Sequence, residues 1–388
     1  MEYCLHSQMV PFNNTGGNSS TWETKKIISF LEGEKLHEGD LYTHDSLAWM
    51  YVAPVLIVAG LIENCLSVAV LSHARFAHVP SRATLVALAI VDCVVLLIGL
   101  GRYWLSVTFR VYPVEWSNVW CKTISTFVLF SSHLSSCLVA LLSVERFFAV
   151  RLPHKQFRPS IDKLGTLLLF LFCFGVDMVH LKYTVLQSGV NRTEVRTTED
   201  TETPHLHVCT SESEWVAFWQ DIADILLLFG LPYLIIVCCN TYIIITLRRR
   251  SNQLNRMSIC RDTVESVSTD RIKGVCNCFG GNCPSRFSSR AGHSTTHSSY
   301  KDRNARITFT LLCVTFTFLL CNLPFAVVHI LRTADNERRT EDWNIAWLVT
   351  YILVYVNNCL NFPIYVLSHP QFREELKTLL SFVKNPCN

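Results

Sequence analysis

The sequence predicts an all-α membrane protein, a bundle of seven transmembrane helices followed by a short amphipathic helix. Composition is the first reason. Half of the 388 residues are hydrophobic and only 17% are charged, against about 25% in an ordinary soluble domain. Mean hydropathy is +0.27. The second reason is that seven apolar stretches each reach the ~20 residues a helix needs to cross ~30 Å of hydrocarbon. These stretches offer too few polar faces to be buried helices of a soluble protein. The net charge of +3 gives no ground for a nucleic-acid partner.

Residues 1–45 form a polar tail with no charged-then-apolar leader, so the first span is expected to serve as the insertion signal. Residues 46–367 carry the spans, near Leu47–Leu71, Thr84–Trp104, Cys121–Phe147, Leu164–Tyr183, Trp215–Leu247, Ile307–Leu331 and Trp343–Leu367. The third is the most informative. Cys121 and Arg146 lie 25 positions apart, about 37 Å at ~1.5 Å per residue, so one helix holds a cysteine on one side of the bilayer and an arginine on the other. Its interior, Thr123 to Val144, has one readily charged group, His133, and the small residues Ser131, Ser132, Ser135 and Ser136, which favour close helix packing. Asp177 interrupts the fourth span, and Asp221 and Asp224 the fifth, which blurs their ends. Residues 251–302, rich in Ser, Thr, Arg and Gly, read as a long disordered cytoplasmic loop. In the last segment, 368–388, Phe372, Leu376, Leu379, Leu380 and Phe382 recur at helical spacing opposite Lys and Glu, the pattern of a helix lying along the membrane surface.

Two signals orient the bundle. Arg75, Arg82, Arg151, Lys155, Arg158, Lys163 and Arg248–Arg250 fall in the first, third and fifth connections, which the positive-inside rule assigns to the cytoplasm. Glycosylation sequons begin at Asn13, Asn18 and Asn191, all on the opposite side. The N-terminus is therefore expected outside.

Most of the 17 cysteines sit inside spans, where cysteine acts as a small apolar residue. Cys121 and Cys209 fall on the oxidising side. A bridge between them would pin the loop Leu186–Glu214 to the top of the third helix; the alternative is two free thiols. Cys4 has no obvious partner. Cys276, Cys278 and Cys283 lack zinc spacing and a nearby histidine, so a cytosolic thiol cluster is the expectation. Asp92 is a carboxylate in the apolar run Leu85–Leu100, a costly placement in lipid that by default suggests function. Asn64, Ser135, Asn357, Asn358 and Asn361 lie at comparable depth. They could hydrogen-bond Asp92 as a structural network or, with it, hold a small hard cation through oxygens. Glu63 is a second intramembrane acid with no assigned role.

The order of these residues resembles the rhodopsin-like (class A) G-protein-coupled receptors. The resembling features are Gly60 with Asn64, Leu88-Ala89-Ile90-Val91-Asp92, Trp116 before Cys121, Glu145-Arg146-Phe147 with Pro153, Pro232, Cys321-Asn322-Leu323-Pro324 and Asn361-Phe362-Pro363-Ile364-Tyr365. The resemblance implies that Arg146 engages a heterotrimeric G protein when the sixth helix swings outward. Asp92, Ser135, Asn357 and Asn361 would form an allosteric sodium pocket favouring the inactive state. Pro324 would kink the sixth helix, Phe318 would relay ligand motion, and Tyr365 would swing inward. No other cofactor is implied, nor is enzymatic activity. Several positions depart from the pattern: Phe147 for tyrosine, Asn322 for the toggle tryptophan, Asn240 for a tyrosine, a seventh-span proline displaced by one, and a fourth span lacking its tryptophan and proline.

Val128 stands where amine receptors place an aspartate, and Tyr355 where opsins place the retinal lysine, which disfavours both ligand classes. Arg102, Asp221, Asp224, Phe325, His329, Trp347 and Tyr351, with Val128 and Asn322, are left as the ligand-binding candidates. Asp221 and Asp224, three apart, share a helix face and would suit a cationic group at the mouth of an apolar cavity, unless they face water or pair with Arg102. The Asn-x-Pro-x-Tyr form and Cys238-Cys239-Asn240 are similar to invertebrate neuropeptide receptors of the FMRFamide and myosuppressin kind, which implies an extracellular peptide ligand ending in an amidated Arg-Phe. A non-peptide ligand is the alternative. A transporter would show repeats or matched broken spans, and an enzyme a convergent acid–base or metal set; only the Asp92 network comes near. Ser285, Ser288, Ser289, Ser294, Thr295, Thr296, Ser298 and Ser299 form either a patch for a receptor kinase and arrestin or a solvated linker.

Overall fold

A computed structural model describes residues 44–73, 76, 81–152, 159–188, 207–266, 295–334 and 341–384. The three sequons, Cys4, Pro153 and the Cys276–Cys283 cluster lie outside the described residues. Seven helices are long and apolar enough to span a bilayer. They are α1 (His44–Ser72), α2 (Arg82–Phe109), α3 (Asn118–Arg151), α4 (Pro159–Tyr183), α5 (214–266), α6 (Thr295–Ala334) and α7 (Glu341–Ser368). The amphipathic helix follows as α8 (Pro370–Lys384). All seven expected spans fall within these helices.

Helix α3 is the central post. Of its most apolar window, 72% is buried, against 17% in α4. Ser117 caps its start by accepting from the Trp120 N–H at 3.3 Å. The bundle's periphery is apolar and exposed, with Leu171, Phe172, Leu234, Phe316 and Leu320 pointing outward, as a lipid-facing surface requires.

Two spans contain one π-helical turn each, which the periodicity had not indicated. In α5 it covers Leu226–Gly230. Pro232 follows, and its missing N–H leaves the Leu228 carbonyl without an i+4 donor, so the turn widens just before it. In α2 it covers Val95–Leu100. The outer loop between α4 and α5 holds an antiparallel hairpin, β1 (Thr184–Ser188) with β2 (His207–Ser211), in which Leu186 faces Cys209. The expected cytoplasmic loop is shorter than 251–302, because α5 runs on to Ser266 and α6 starts at Thr295. Residues 251–266 contain neither Gly nor Pro, so nothing local stops the helix.

Close approach fixes α1 in place. A Cβ on Gly60 would come within 2.4 Å of Leu96 Cδ1 and 2.7 Å of Cys359 Sγ, so only glycine lets α1, α2 and α7 meet here. Glu63 on the same helix is half-buried rather than buried. Helix α8 docks through Phe372, which packs on Phe76, Phe362 and Tyr365 with ring centroids 5.5–6.4 Å apart. Glu375 pairs with His73 at 2.7 Å. His369 caps α8, its Nδ1 accepting from the Phe372 N–H at 3.2 Å.

Two outcomes follow from this packing. Gly60→Val is expected to lower the thermal midpoint of the purified protein, by an overpacking cost of about 1–3 kcal/mol. Gly175→Val, where a Cβ meets nothing within 4 Å, is expected to leave it unchanged; equal midpoints for the two variants would refute the tight α1 contact. Burial, then the charges of Arg146 and Arg373, hold the His369 imidazole below its ordinary value of 6.5. The neutral acceptor is thus favoured in the fold. Its stabilisation of α8 is complete above the unfolded value and is lost as pH falls through the lower folded one. The protection of α8 amides against hydrogen exchange, relative to the intrinsic rate at each pH, should fall between neutral pH and pH 5 in the native chain, and this fall should be absent in His369→Asn.

Candidate functional site

The outer end of α3 is fixed covalently. Cys121 and Cys209 form a disulfide with Cα atoms 5.7 Å apart, both sulfurs buried in a cluster with Val114, Ile124 and Val128. The Leu186 N–H also donates to Asn118 Oδ1 at 3.1 Å. The hairpin therefore lies across the top of α3, as expected of a bridged pair. Val128 belongs to the wall beneath this lid.

Halfway down, Asp92 is fully buried. Ser135 Oγ donates to its Oδ1 at 2.9 Å and Asn361 Nδ2 to its Oδ2 at 2.8 Å. Asn64 does not join them. Its amide donates to the carbonyls of Gly60 and Asn358 at 2.9 and 2.8 Å, and so ties α1 to α7 instead. Asn358 likewise donates to its own helix at Val354 O. Asn357 lines a small cavity of about 40 Å³ with Ser135, Ser136, Phe318, Asn322 and Tyr355, roomy enough for a few waters or a small ion. Serine, tyrosine and asparagine side chains line it, and Ser135 connects it to the Asp92 carboxylate.

Above this cavity Phe325, His329, Trp347 and Tyr351 form one aromatic wall. Phe325 stacks on His329 and Tyr351 with centroids 5.9 and 5.4 Å apart, and meets Trp347 at 5.0 Å. Tyr351 and Tyr355 share a hydroxyl hydrogen bond of 3.1 Å. Asn322 donates to Phe318 O at 2.9 Å, one turn below Pro324. Of the ligand candidates, Asn322, Phe325 and Tyr351 line the cavity, and His329 and Trp347 pack on Phe325. The α5 acids separate despite their spacing. Asp221 is half-buried, whereas Asp224 is 1% exposed and turns toward His133, Asp177 and His180. The expectation of two acids side by side at the pocket mouth therefore fails for Asp224. Arg102 is half-buried on α2 with its Nε atom unbonded.

At the end of α3 opposite the disulfide, Arg146 is 4% exposed and donates to Ser81 Oγ at 2.9 Å. Ser81 adopts a left-handed conformation, φ 68°, at the start of α2. Thr84 Oγ1 donates to Glu145 Oε1 at 2.9 Å and lies 2.9 Å from Asp162 Oδ1. The Asp162 carboxylate also accepts from the Ala83 and Thr84 N–H groups at 2.9 and 3.3 Å, where the positive end of α2 favours an anion. Phe147 packs on Tyr242 at 4.7 Å, so the displaced α5 tyrosine serves α3 packing. Asn240 donates to Thr315 Oγ1 at 2.8 Å, linking α5 to α6. Tyr365 is buried against Phe372. The Asp162 link and the His133 cluster were not foreseen.

Comparison with known proteins agrees with this arrangement. The family profile described as "7 transmembrane receptor (rhodopsin family)" matches residues 63–365. The thyrotropin-releasing hormone receptor of Ovis aries is 23% identical over 364 residues, covering 91% of this chain and 84% of that receptor. Somatostatin receptor type 5 of Bos taurus is 22% identical over 373 residues, covering 94% and 86%. The G-protein coupled receptor moody of Drosophila pseudoobscura pseudoobscura is 20% identical over 383 residues, covering 87% of this chain and 53% of that protein. A match spanning most of the chain, with seven spans in the expected order, places it as a divergent member of the rhodopsin family of seven-transmembrane receptors.

Proposed function

We propose that the chain is a plasma-membrane receptor with its N-terminus outside, which binds an extracellular peptide and activates heterotrimeric G proteins by outward movement of α6. The observation that carries the reading is the depth profile of α3. It is bridged at Cys121 outside, bonded to Asp92 in the middle and ends in Arg146 among Ser81, Glu145 and Thr84 inside. A buried arginine held to α2 supports a resting state, since release of α6 has to free it for a partner.

The relatives named for thyrotropin-releasing hormone and somatostatin are peptide receptors, which supports a peptide here. In this chain the aromatic wall of Phe325, Trp347 and Tyr351 would take an apolar or aromatic residue, and Asp221 a basic one. An amidated Arg-Phe terminus fits both demands. Asn357 and the Asp92 network would hold an allosteric sodium ion, whose charge offsets the buried carboxylate and stabilises the resting bundle. A receptor kinase and arrestin would act on the inner-loop serines and threonines.

In nanodiscs with purified G protein, agonist-driven nucleotide exchange is expected to fall to the receptor-free rate in Arg146→Ala while surface expression persists. Exchange at the native rate would remove the assigned role of Arg146. A screen of amidated peptides should find agonists, and Asp221→Arg should weaken basic ones by tenfold or more, since a charge-assisted hydrogen bond is worth about 1.5–3 kcal/mol. Undiminished potency would eliminate Asp221 as their anchor. Asp92→Asn should abolish the sodium dependence of agonist affinity, a coupling typically of about 5–150-fold.

A further inference from the structure

A second buried polar cluster lies on the other side of α3 from Asp92. His133 on α3, Asp177 and His180 on α4, and Asp224 on α5 meet there, each 5% exposed or less. The His133 Nδ1–H donates to Asp177 Oδ1 at 2.8 Å. The remaining atoms of the cluster are unsatisfied: His133 Nε2, His180 Nδ1, Asp177 Oδ2 and both Asp224 oxygens have no hydrogen-bond partner. At membrane depth that is an expensive arrangement, and it calls for an occupant.

The distances say what kind. His133 Nε2 and His180 Nε2 lie 3.3 and 3.6 Å from Asp224 Oδ1. Charge-assisted N–H···O bonds are about 2.7–2.9 Å long, so both contacts are too long for a proton-bridged pair. Donor atoms around a tetrahedral metal with bonds near 2.0–2.1 Å sit about 3.3–3.4 Å apart. Two imidazoles and a carboxylate form a donor set suited to zinc. Asp177 belongs to the same donor set, since its carboxylate, a His133 nitrogen and an Asp224 oxygen all lie within 4.8 Å of one another. Two carboxylates are buried here together, and a divalent cation bound between them would offset their charge.

We infer that His133, Asp177 and Asp224, whose ligand atoms all lie within 4.8 Å of one another, form the core of a zinc site, with His180 beside Asp224 as the fourth donor. The π-helical turn of α5 begins two residues after Asp224 and sets the register that turns this acid inward. Asp221, three residues nearer the outer end and half-buried, marks the way in. Zinc bound here would clamp α3, α4 and α5 together in the outer half of the bundle.

The test uses full-length receptor in nanodiscs, stripped with EDTA and titrated with Zn2+ alone, without agonist or G protein, so its result is separable from the signalling reading. Elemental analysis after desalting should give one zinc per chain that depends on the cluster, and the thermal midpoint should rise and saturate with occupancy. Co2+ in place of zinc should give the intense visible absorption of a tetrahedral site. His180→Gln and Asp224→Asn, made separately, should each abolish the midpoint shift and the cobalt spectrum. Asp177→Asn should likewise abolish the midpoint shift, and Asp92→Asn should leave it intact. Absence of zinc uptake by the wild-type receptor would overturn the inference in favour of a proton-held cluster. So would uptake that survives both His180→Gln and Asp224→Asn, which would locate the metal elsewhere.

Discussion

The absence of water in the hydrocarbon layer governs this molecule. A polar group placed there must find its partner in another helix, and an aspartate at the centre of a span costs roughly 2.5–3.5 kcal/mol on insertion scales. Three spans of this chain accept that cost, at Asp92, Asp177 and Asp224, and each of these acids points toward α3. Helix α3 answers with a serine on one side and a histidine on the other. The bundle is thus assembled around the polar demands of one helix, while its apolar outer surface supplies solubility in lipid and little that is specific.

This explains why some features were legible in the sequence and others were not. Span positions follow from a one-dimensional property, apolar length, and they were found to within a few residues. The Cys121–Cys209 bridge followed from topology, because both thiols share the outer compartment. The Asp92 network followed from depth, although depth alone wrongly added Asn64, whose amide finds backbone carbonyls on α1 and α7. Pairing between distant segments was invisible. His133, Asp177 and Asp224 each appeared as an interruption of an apolar run, and no local pattern shows that three interruptions converge. The spacing of Asp221 and Asp224 gave a shared face correctly as helical geometry. What it could not give was the tertiary context that leaves one acid half-buried and draws the other to two histidines. The hairpin was missed because strands in an outer loop rest on a disulfide rather than on a hydrophobic period.

The departures from the family pattern also gain physical content. Tyr242 does not substitute for the missing α5 tyrosine, because its ring is engaged with Phe147 on α3. Asn240 itself bonds Thr315, so the link between α5 and α6 is a side-chain amide to a hydroxyl, in place of a phenol reaching inward. Asn322, in place of an indole, satisfies itself on the Phe318 carbonyl of its own helix. The bulk that an indole would supply is taken up by Phe325, Trp347 and Tyr351 one layer higher. The aromatic side chains of this region therefore concentrate in one wall between α6 and α7.

The rotation of α3 about its own axis connects these sites. At about 100° per residue, Arg146 lies within roughly 20° of the face that carries Ser135, and both bond α2, at Ser81 and Asp92. His133 lies on the opposite face and bonds α4. A rotation that loosens Arg146 from Ser81 necessarily strains Ser135 against Asp92 and displaces His133 from Asp177 and Asp224. The outer end of α3 cannot follow freely, because the disulfide holds Cys121 to the hairpin. Under the proposed function, a ligand or ion that fixed either polar face would resist the same motion, and by reciprocity a partner that drew Arg146 out would weaken binding at both. Communication from the outer pocket to the cytoplasmic end then needs no separate relay, since one rigid helix carries all three contacts.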